Sequence, residues 1–198
     1  MTKIFNKEIA VNINRDKYLK DLINRMHNGM IKVVTGIRRS GKSYLIFTIF
    51  KNYLLEQGVD ENHIITIELD QRKDKKYRNP DAILELIESS IVDEEQHYVL
   101  LDEVQLLEEF EEVLNSLLHI KNIDVYVTGS NSKFLSKDVI TEFRGRGDEI
   151  HIYPLTFKEF MQVYEGDIYH GWAEYVVYGG LPLTVTMKTE EQKINYLK

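Results

Sequence analysis

The segment IKVVTGIRRSGKS, residues 31–43, decides how this chain is expected to fold. The β-branched run Ile31–Thr35 predicts a short core strand that breaks at Gly36. Residues 36–43 then match the pattern G-x-x-x-x-G-K-[ST] in full. A strand, a glycine-bearing turn and a following helix, in this order, predict a loop that binds phosphate groups.

Each fixed position of this pattern has a chemical reason. Glycines permit a tight backbone path along which successive N–H groups point at phosphate oxygens, and the following helix adds the positive end of its dipole. Lys42 is expected to reach the β- and γ-phosphates, and the Ser43 hydroxyl to ligate Mg²⁺. The predicted nucleotide-binding residues are Gly36, Ile37, Arg38, Arg39, Ser40, Gly41, Lys42, Ser43 and Tyr44.

The stretch YVLLDE, residues 98–103, predicts a second functional strand, which ends in two acids. A carboxylate at the carboxyl end of a strand near the loop strand can hold Mg²⁺, usually through water, and we assign this role to Asp102. The next side chain points differently, so Glu103 is expected to orient and deprotonate the attacking water. Ser43 and Asp102 are therefore the predicted metal ligands, and Glu103 is the predicted catalytic base.

Two further groups of polar residues are candidates for catalysis. The strand that ends at Thr128 runs into Ser130 and Asn131, which are placed to touch a γ-phosphate or the attacking water; a capped turn explains the same residues. Arg144 and Arg146 carry side chains suited to the charge that develops in phosphoryl transfer, either in cis or from a neighbouring copy. A basic turn is the alternative interpretation of the two arginines.

Strand-like apolar runs alternate with helical patterns along the chain, which indicates a mostly parallel sheet covered by helices. The expected strands are residues 31–35, 64–69, 98–101, 124–128 and 149–153. The expected helices are residues 14–28 with Asn14 as the cap, 42–57, 80–91, one from 109, and one that the capping box 156–159 opens.

Composition excludes several classes of protein. The net charge of −7 argues against a surface that is basic throughout, as in a dedicated nucleic-acid binder. The absence of cysteine excludes disulfides and thiolate chemistry, and the histidines lack the i, i+4 spacing of a helical zinc pair, so no zinc site is expected. No apolar run approaches the roughly 18 residues of a membrane span, and the amino terminus lacks an apolar leader. We therefore expect a cytoplasmic protein.

Over nearly its whole length the chain resembles a group of prokaryotic AAA-type ATPases related to the archaeal ATPases. The residues that carry the resemblance are the loop together with INRDKYL (13–19), LDEVQ (101–105), TGSNS (128–132), YPLTFKEF (153–160) and YGGLP (178–182). The resemblance implies an α/β, three-layer P-loop NTPase fold with a parallel five-stranded sheet in the order 5-1-4-3-2. It implies ATP at the carboxyl ends of the strands, with Pro182 near the adenine, although a glycine-proline turn also explains Pro182.

The same resemblance implies a division into a P-loop ATPase core, residues 1–153, and a helical extension, residues 154–198. Members of this family continue into a winged-helix-like and often a nuclease-like part, so the extension is interpreted as the start of a truncated lid or second domain. The expected partners are the nucleotide, a second copy through arginines in trans, and a DNA or protein target of that C-terminal region. No membrane partner is expected.

The expected function is Mg²⁺-dependent ATP hydrolysis, slow in isolation, that drives or switches an attached C-terminal effector domain. One alternative is a P-loop phosphotransferase, against which Glu103 favours water over a substrate hydroxyl as the acceptor. Another is a non-hydrolysing nucleotide sensor or DNA-associated module, against which Asp102, Glu103 and the negative charge all argue. ATP rather than GTP follows from the resemblance and from the absence of a guanine-reading Asn/Thr-Lys-x-Asp motif.

Overall fold

The computed structural model describes residues 13–129 and 145–198. The chain divides into two compact units. The sheet unit comprises Arg15–Tyr153, and the helical unit comprises Pro154–Lys198 together with Ile13 and Asn14. Across the described ranges, no helix combines the length and the apolar character needed to cross a bilayer.

A parallel five-stranded sheet organises the sheet unit. Its strands are β1 Ile31–Thr35, β2 Ile64–Glu68, β3 His97–Asp102, β4 Ile123–Thr128 and β5 Gly147–His151. The order β2-β3-β4-β1-β5 confirms the predicted order 5-1-4-3-2, which counts the same sheet from its other edge. Because parallel strands end at one edge, the residues that follow β1, β3 and β4 lie side by side at the carboxyl edge.

Helices cover both faces of this sheet and complete three layers. They are α1 Asp16–Ile23, α2 over residues 42–56, α3 Pro80–Ser90 and α4 Phe110–Leu117, with short 3-10 segments at Glu61–His63, Arg72–Arg78 and Val104–Leu106. Alternate strand residues face opposite sides, so Val99 and Leu101 pack with α3 and α4, whereas Leu100 and Tyr126 pack with α1 and α2. Within α2, Leu45–Phe50 forms a π-helical stretch between two α-helical ends.

The first helix is shorter than the sequence predicts. It begins after Arg15 rather than after Asn14, and it ends at Ile23 rather than near Asn28. The early end has a clear cause: His27 is left-handed with a φ of 58°, and its N–H donates to Asp124 Oδ2 at 3.1 Å. The chain therefore turns toward β4 before another helical turn can form.

The fifth strand also ends earlier than predicted, at His151 rather than Tyr153. Its neighbour β1 stops at Thr35, so Tyr153 has no strand partner. The N–H of Tyr153 instead donates to the Tyr18 hydroxyl at 3.2 Å.

A buried ion pair ties β1 to β4 in the sheet interior. Lys32 Nζ donates to Asp124 Oδ1 and, at 2.8 Å, to the Met30 carbonyl, and the Lys32 side chain is fully buried. The Tyr126 hydroxyl donates to Asp124 Oδ2 at 2.8 Å. Burial lowers the pKa of Lys32, while the hydrogen bond and charge of Asp124 oppose that shift.

Short helices around a small apolar core make up the helical unit. They are α5 Phe157–Phe160, α6 Ile168–Tyr178, α7 Pro182–Thr186 and α8 Glu190–Leu197. The predicted capping box opens α5, since the Thr156 hydroxyl accepts from Glu159 N and the Glu159 carboxylate accepts from Thr156 N. The buried residues of the core are Ile13, Leu155 and Phe160.

Candidate active site

The phosphate-binding pattern joins the carboxyl end of β1 to the start of α2. Gly36 has a φ of 139°, and a Cβ there would lie 2.2 Å from the carbonyl oxygen of Ile152, so only glycine fits. Gly41 is left-handed, with a φ of 94°, at the N-cap of α2. Arg39 is left-handed as well, with a φ of 69°. That conformation costs a non-glycine residue roughly 1–2 kcal/mol, so the loop stores backbone strain.

The residues that lie between the two glycines differ in their exposure to solvent. Ile37, Arg38 and Arg39 are exposed, whereas Ser40 is fully buried. The Ser40 hydroxyl has no hydrogen-bond partner among the described residues. A buried hydroxyl without a partner is costly, and a bound ligand oxygen would satisfy it.

Lys42 is folded into the loop that it follows. Its side chain is buried, and Nζ donates to the carbonyl oxygens of Gly36 and Ile37, both at 3.0 Å. Burial lowers the pKa of Lys42, and the charges of Glu103 and Asp102 oppose that shift. The ammonium group therefore lies inside the turn, near the two carboxylates at the carboxyl end of β3.

Asp102, the last residue of β3, accepts hydrogen bonds from two hydroxyl groups. The Ser43 hydroxyl donates to Asp102 Oδ1 at 2.9 Å, and the Thr128 hydroxyl donates to the same oxygen. Burial raises the pKa of Asp102 above its usual range; the two hydroxyl hydrogen bonds work in the other direction. The carboxylate thus lies beside the loop serine in a setting that disfavours its negative charge unless a cation is near.

Glu103 is held in a left-handed backbone conformation with a φ of 52°. Its N–H donates to the Thr128 hydroxyl at 2.9 Å, and its Oε2 accepts from Gln105 Nε2. The chain therefore changes direction between Asp102 and Glu103, and the two carboxylates have different partners. Thr128 links the two residues, since its hydroxyl donates to the Asp102 carboxylate and accepts from the backbone N–H of Glu103.

Arg15 braces the loop from within the sheet unit. Its Nη1 donates to the Ser40 carbonyl at 3.2 Å, and its Nη2 donates to the Tyr153 carbonyl at 2.7 Å. Arg15 is 3% exposed, and its guanidinium lies 4.6 Å from the Tyr18 ring centroid. This side chain ties the loop to the chain that leaves β5.

Two of these contact residues, Arg15 and Gln105, received no site role from the sequence, and Thr128 was placed only behind the candidates Ser130 and Asn131. Thr128 could have been given a role of its own, because it ends a strand that the fold places between β1 and β3. Arg15 and Gln105 carried no comparable signal.

The structure does not bring every candidate to the loop. Ser130, Asn131 and Arg144 lie outside the described residues. Arg146 precedes β5 and therefore lies at the amino edge of the sheet, opposite the loop; its carbonyl accepts from Ile31 N at 2.8 Å, and its Nη1 donates to Asn115 at 3.0 Å. Arg146 thus has no reach to the loop of its own chain.

The two remaining candidates are Tyr44 and Pro182. Tyr44 is the third residue of α2, half-buried and directly after the loop lysine and serine. Pro182 begins α7 in the helical unit. The glycine before it has a structural reason there: a Cβ on Gly180 would lie 2.2 Å from the Leu155 carbonyl oxygen, and Leu155 N donates to Gly180 O at 2.7 Å.

Known proteins resemble this chain over most of its length. A family model described as an AAA domain matches residues 28–161, which include the loop and both strand-end acids. An uncharacterized protein of Haemophilus influenzae is 35% identical over 187 residues, which cover 91% of this chain and 46% of that protein. An uncharacterized protein of Methanocaldococcus jannaschii is 28% identical over 212 residues, 98% of this chain and 44% of that protein. The chain thus spans about half the length of these curated relatives.

Among solved structures, the Walker-type ATPase of Pyrococcus abyssi superposes with a TM-score of 0.61. The match covers 94% of this chain and 68% of that chain at 16% identity. At that identity the likeness shows the fold, which is that of a P-loop ATPase.

Proposed function

The chain belongs to the AAA domain family, and on that premise we propose that it binds Mg·ATP in the loop Gly36–Ser43 and hydrolyses it to ADP and phosphate. The observation that carries the proposal is the contact of Ser43 Oγ with Asp102 Oδ1 at 2.9 Å. It joins the last residue of the phosphate pattern to the acid at the end of β3, as a P-loop metal site requires.

The residues present fit the triphosphate. The loop offers backbone N–H groups along a path that Gly36 and Gly41 keep open, and α2 begins at the loop. Lys42 Nζ now satisfies two loop carbonyls at 3.0 Å, so it can exchange them for phosphate oxygens with little movement. The buried Ser40 hydroxyl, without a partner among the described residues, provides a further donor.

The donor set also fits Mg²⁺. A hydroxyl and a carboxylate oxygen are hard ligands of the type this ion prefers, and Asp102 is positioned to hold it directly or through water. Bound Mg²⁺ would supply positive charge to the phosphate oxygens. A cation next to Asp102 would also favour its ionised form, against the burial that raises its pKa.

Glu103 is proposed as the base that takes a proton from the attacking water. Its carboxylate follows the metal acid directly but is turned away from it by the left-handed backbone. Gln105 Nε2 and the Thr128 hydroxyl hold its side chain and its N–H respectively. Carboxylate oxygens held in this way can orient a water and accept its proton without large rearrangement.

We further propose that the ATP state switches a region attached to this chain. The support is the length of the relatives. This chain covers 46% of the Haemophilus influenzae protein and 44% of the Methanocaldococcus jannaschii protein, so each carries about as much chain again. An arginine for the proposed reaction would come from Arg144 in cis or from a second copy, because Arg146 lies at the opposite edge of its own sheet.

Single-turnover hydrolysis of labelled ATP, measured over a range of protein concentrations, tests the proposal. Glu103→Gln is expected to bind ATP without cleaving it, and Lys42→Ala to bind poorly. Glu112→Gln, which changes an exposed glutamate on α4, serves as the matched control and is expected to behave as the wild type. A rate per molecule that rises with concentration supports an arginine in trans. Cleavage by Glu103→Gln at the wild-type rate would overturn the assignment of the base.

A further inference from the structure

Two histidines and an aspartate meet at the amino edge of the sheet, away from the loop. His63 directly precedes β2 and His97 is the first residue of β3, and the pairing of Ile64 with Tyr98 sets the two histidines side by side. Their rings stand edge to face, with centroids 4.5 Å apart. Both are buried: His63 is 9% exposed and His97 0%.

The hydrogen bonds of His97 fix its tautomer. Its Nδ1 lies 2.8 Å from the Glu95 carbonyl oxygen, which can only accept, so Nδ1 carries the proton. Its Nε2 lies 3.2 Å from the Val92 N–H, which can only donate, so Nε2 presents a lone pair. An imidazole whose Nδ1–H is held by a backbone carbonyl, while Nε2 carries the lone pair, is the usual arrangement of a metal-binding histidine.

Asp93 completes the group from the loop that follows α3. Its Oδ2 lies 3.0 Å from His63 Nε2, and its Oδ1 accepts from Glu95 N at 2.9 Å. Asn122 Nδ2 donates to the carbonyls of Asp93 and Glu95 at 3.0 and 3.3 Å, which pins the loop in place. The carboxylate is therefore positioned before any ligand arrives.

We propose that His63, Asp93 and His97 form a site for a divalent transition metal, with Zn²⁺ as the favoured ion. One ligand atom from each residue lies within 4.8 Å of the others. Metal bonds to nitrogen and carboxylate oxygen are about 2.0–2.2 Å long, so the three ligand atoms draw closer when the ion binds, and the exposed Asp93 side chain has the most room to move. Water takes the fourth position.

Binding exchanges two hydrogen bonds for metal bonds. His63 changes tautomer when Nε2 binds the metal: Nε2 gives up its proton and Nδ1 takes one up from solvent, so the ring stays neutral. The Val92 N–H loses His97 Nε2, but Val92 is 61% exposed, so water can reach this part of the loop. The neighbouring acids Glu94 and Glu95 are exposed and favour the approach of a cation.

The proposed site differs from the Mg²⁺ site in both place and chemistry. It lies at the amino ends of β2 and β3, whereas Asp102 lies at the carboxyl end of β3. Imidazole nitrogens suit Zn²⁺, Ni²⁺ and Cu²⁺, while Mg²⁺ prefers oxygen ligands. A metal here would fasten the loop after α3 to the start of the sheet, and its binding does not depend on the proposed ATPase activity.

Isothermal titration of the metal-free chain with ZnCl₂, in excess Mg²⁺ and without nucleotide, tests the proposal. The wild type is expected to bind one zinc ion, and Asp93→Asn and His63→Gln to bind it at least about tenfold more weakly. Asp167→Asn is the matched control, because Asp167 pairs with His170 at 2.5 Å without a described third ligand. This variant is expected to keep the wild-type affinity.

A second measurement guards against loss of folding in the variants. In the wild-type chain, one equivalent of zinc should shift the ring-proton signals of His63 and His97 while those of His170 stay in place. No zinc uptake in excess Mg²⁺, wild-type affinity in both variants, or unchanged His63 and His97 signals would each overturn the site.

Discussion

Ser43 Oγ donates to Asp102 Oδ1 at 2.9 Å, although 59 positions separate the two residues in the chain. The contact exists because β4 lies between β1 and β3 in the sheet, so the loop after β1 and the end of β3 meet at one edge. Thr128, at the end of β4, donates to the same carboxylate oxygen from between them. The hydroxyl of the helix that follows β1, the acid that ends β3 and the hydroxyl that ends β4 thus meet at one edge of the sheet.

Replacing Asp102 with asparagine should stabilise the free protein while it abolishes Mg²⁺-dependent hydrolysis. Burial raises the pKa of Asp102, so the native state binds this proton more tightly than the unfolded state does. Stability therefore falls as pH rises through the interval from the unfolded to the folded pKa, and near neutral pH the ionised group is a cost. We expect a gain of roughly 0.5–2 kcal/mol, the usual range for relieving a functional residue.

Thermal unfolding without nucleotide or metal measures this effect. Asp124→Asn is the control of opposite sign, because that buried carboxylate is paired with Lys32 and its neutralisation should destabilise the fold. Destabilisation by Asp102→Asn would contradict the expectation.

Replacing Thr128 with valine should slow turnover more than it weakens ATP binding. The substitution keeps the shape but removes the hydroxyl that donates to Asp102 and accepts from Glu103 N at 2.9 Å. We expect a loss of about 10- to 100-fold in single-turnover rate, as for other groups that orient site residues. Thr66→Val, at an exposed position of β2, should leave the rate unchanged. Equal losses in rate and ATP affinity would argue against a positioning role.

Replacing Gly36 with alanine should destabilise the fold far more than the same change at Gly58. Both glycines have positive φ, at 139° and 88° respectively, but only the Cβ at Gly36 meets backbone, 2.2 Å from Ile152 O. Gly58→Ala should cost about 1 kcal/mol through its conformation alone. Gly36→Ala should cost roughly 3 kcal/mol or more, because backbone must move. Urea unfolding without nucleotide compares the two, and similar losses would show that the close approach is easily relieved.

Replacing only one member of the buried pair of Lys32 and Asp124 should destabilise the fold more than replacing both members. Lys32→Met leaves a buried carboxylate without its cation and should cost about 3–5 kcal/mol. The double variant Lys32→Met with Asp124→Leu should recover part of that loss. The surface pair of Lys51 and Glu61, at 2.8 Å with the Glu61 side chain 73% exposed, is the control. In this pair, Lys51→Met should lower the free energy of unfolding by less than about 1 kcal/mol. Chemical denaturation of all the variants measures the difference between the buried and the surface pair.

The pair of Asp167 and His170 at the start of α6 should make a pH-dependent contribution. The hydrogen bond and charge of Asp167 raise the pKa of His170, and the bond to His170 lowers the pKa of Asp167. The contribution of His170 to folding stability is complete below its unfolded pKa near 6.5 and is lost as pH rises through its raised folded pKa. The contribution of Asp167 is present above its unfolded pKa and is lost as pH falls through its lowered folded pKa.

An NMR titration of the His170 ring checks this pH dependence. Asp167→Asn should return the midpoint toward the ordinary histidine value. An unchanged midpoint in Asp167→Asn would show that the pair does not form in solution.

The strands could be predicted from the sequence because burial on both faces leaves unbroken apolar runs, as in residues 98–101, whereas their order came from the family resemblance. The loop could be predicted because its glycines are needed for local backbone reasons. Features that depend on contacts between distant residues could not. The end of α1 follows from the bond of His27 N to Asp124, and the turn at Glu103 follows from the position of Thr128.

The expectation that no zinc site exists rests on local sequence alone, and the site proposed above would contradict it. It tested histidine spacing along a helix, whereas the structure joins His63 and His97 through the register of two parallel strands. A spacing of 34 residues carries no local pattern, so only the pairing of β2 with β3 reveals the group.

The hydrogen bonds of Arg15 to the carbonyls of both Ser40 and Tyr153 have a mechanical consequence. Tyr153 is the last residue of the sheet unit, and Ile152 just before it rests against Gly36. Tension applied to the chain after residue 153 would therefore act on the loop as well as on β1, to which Ile152 N donates at Thr35 O. Conversely, a loop stiffened by an occupant would hold that exit point more firmly. The loop that is proposed to hold phosphate is therefore also the part of the sheet unit to which Arg15 fastens residue 153.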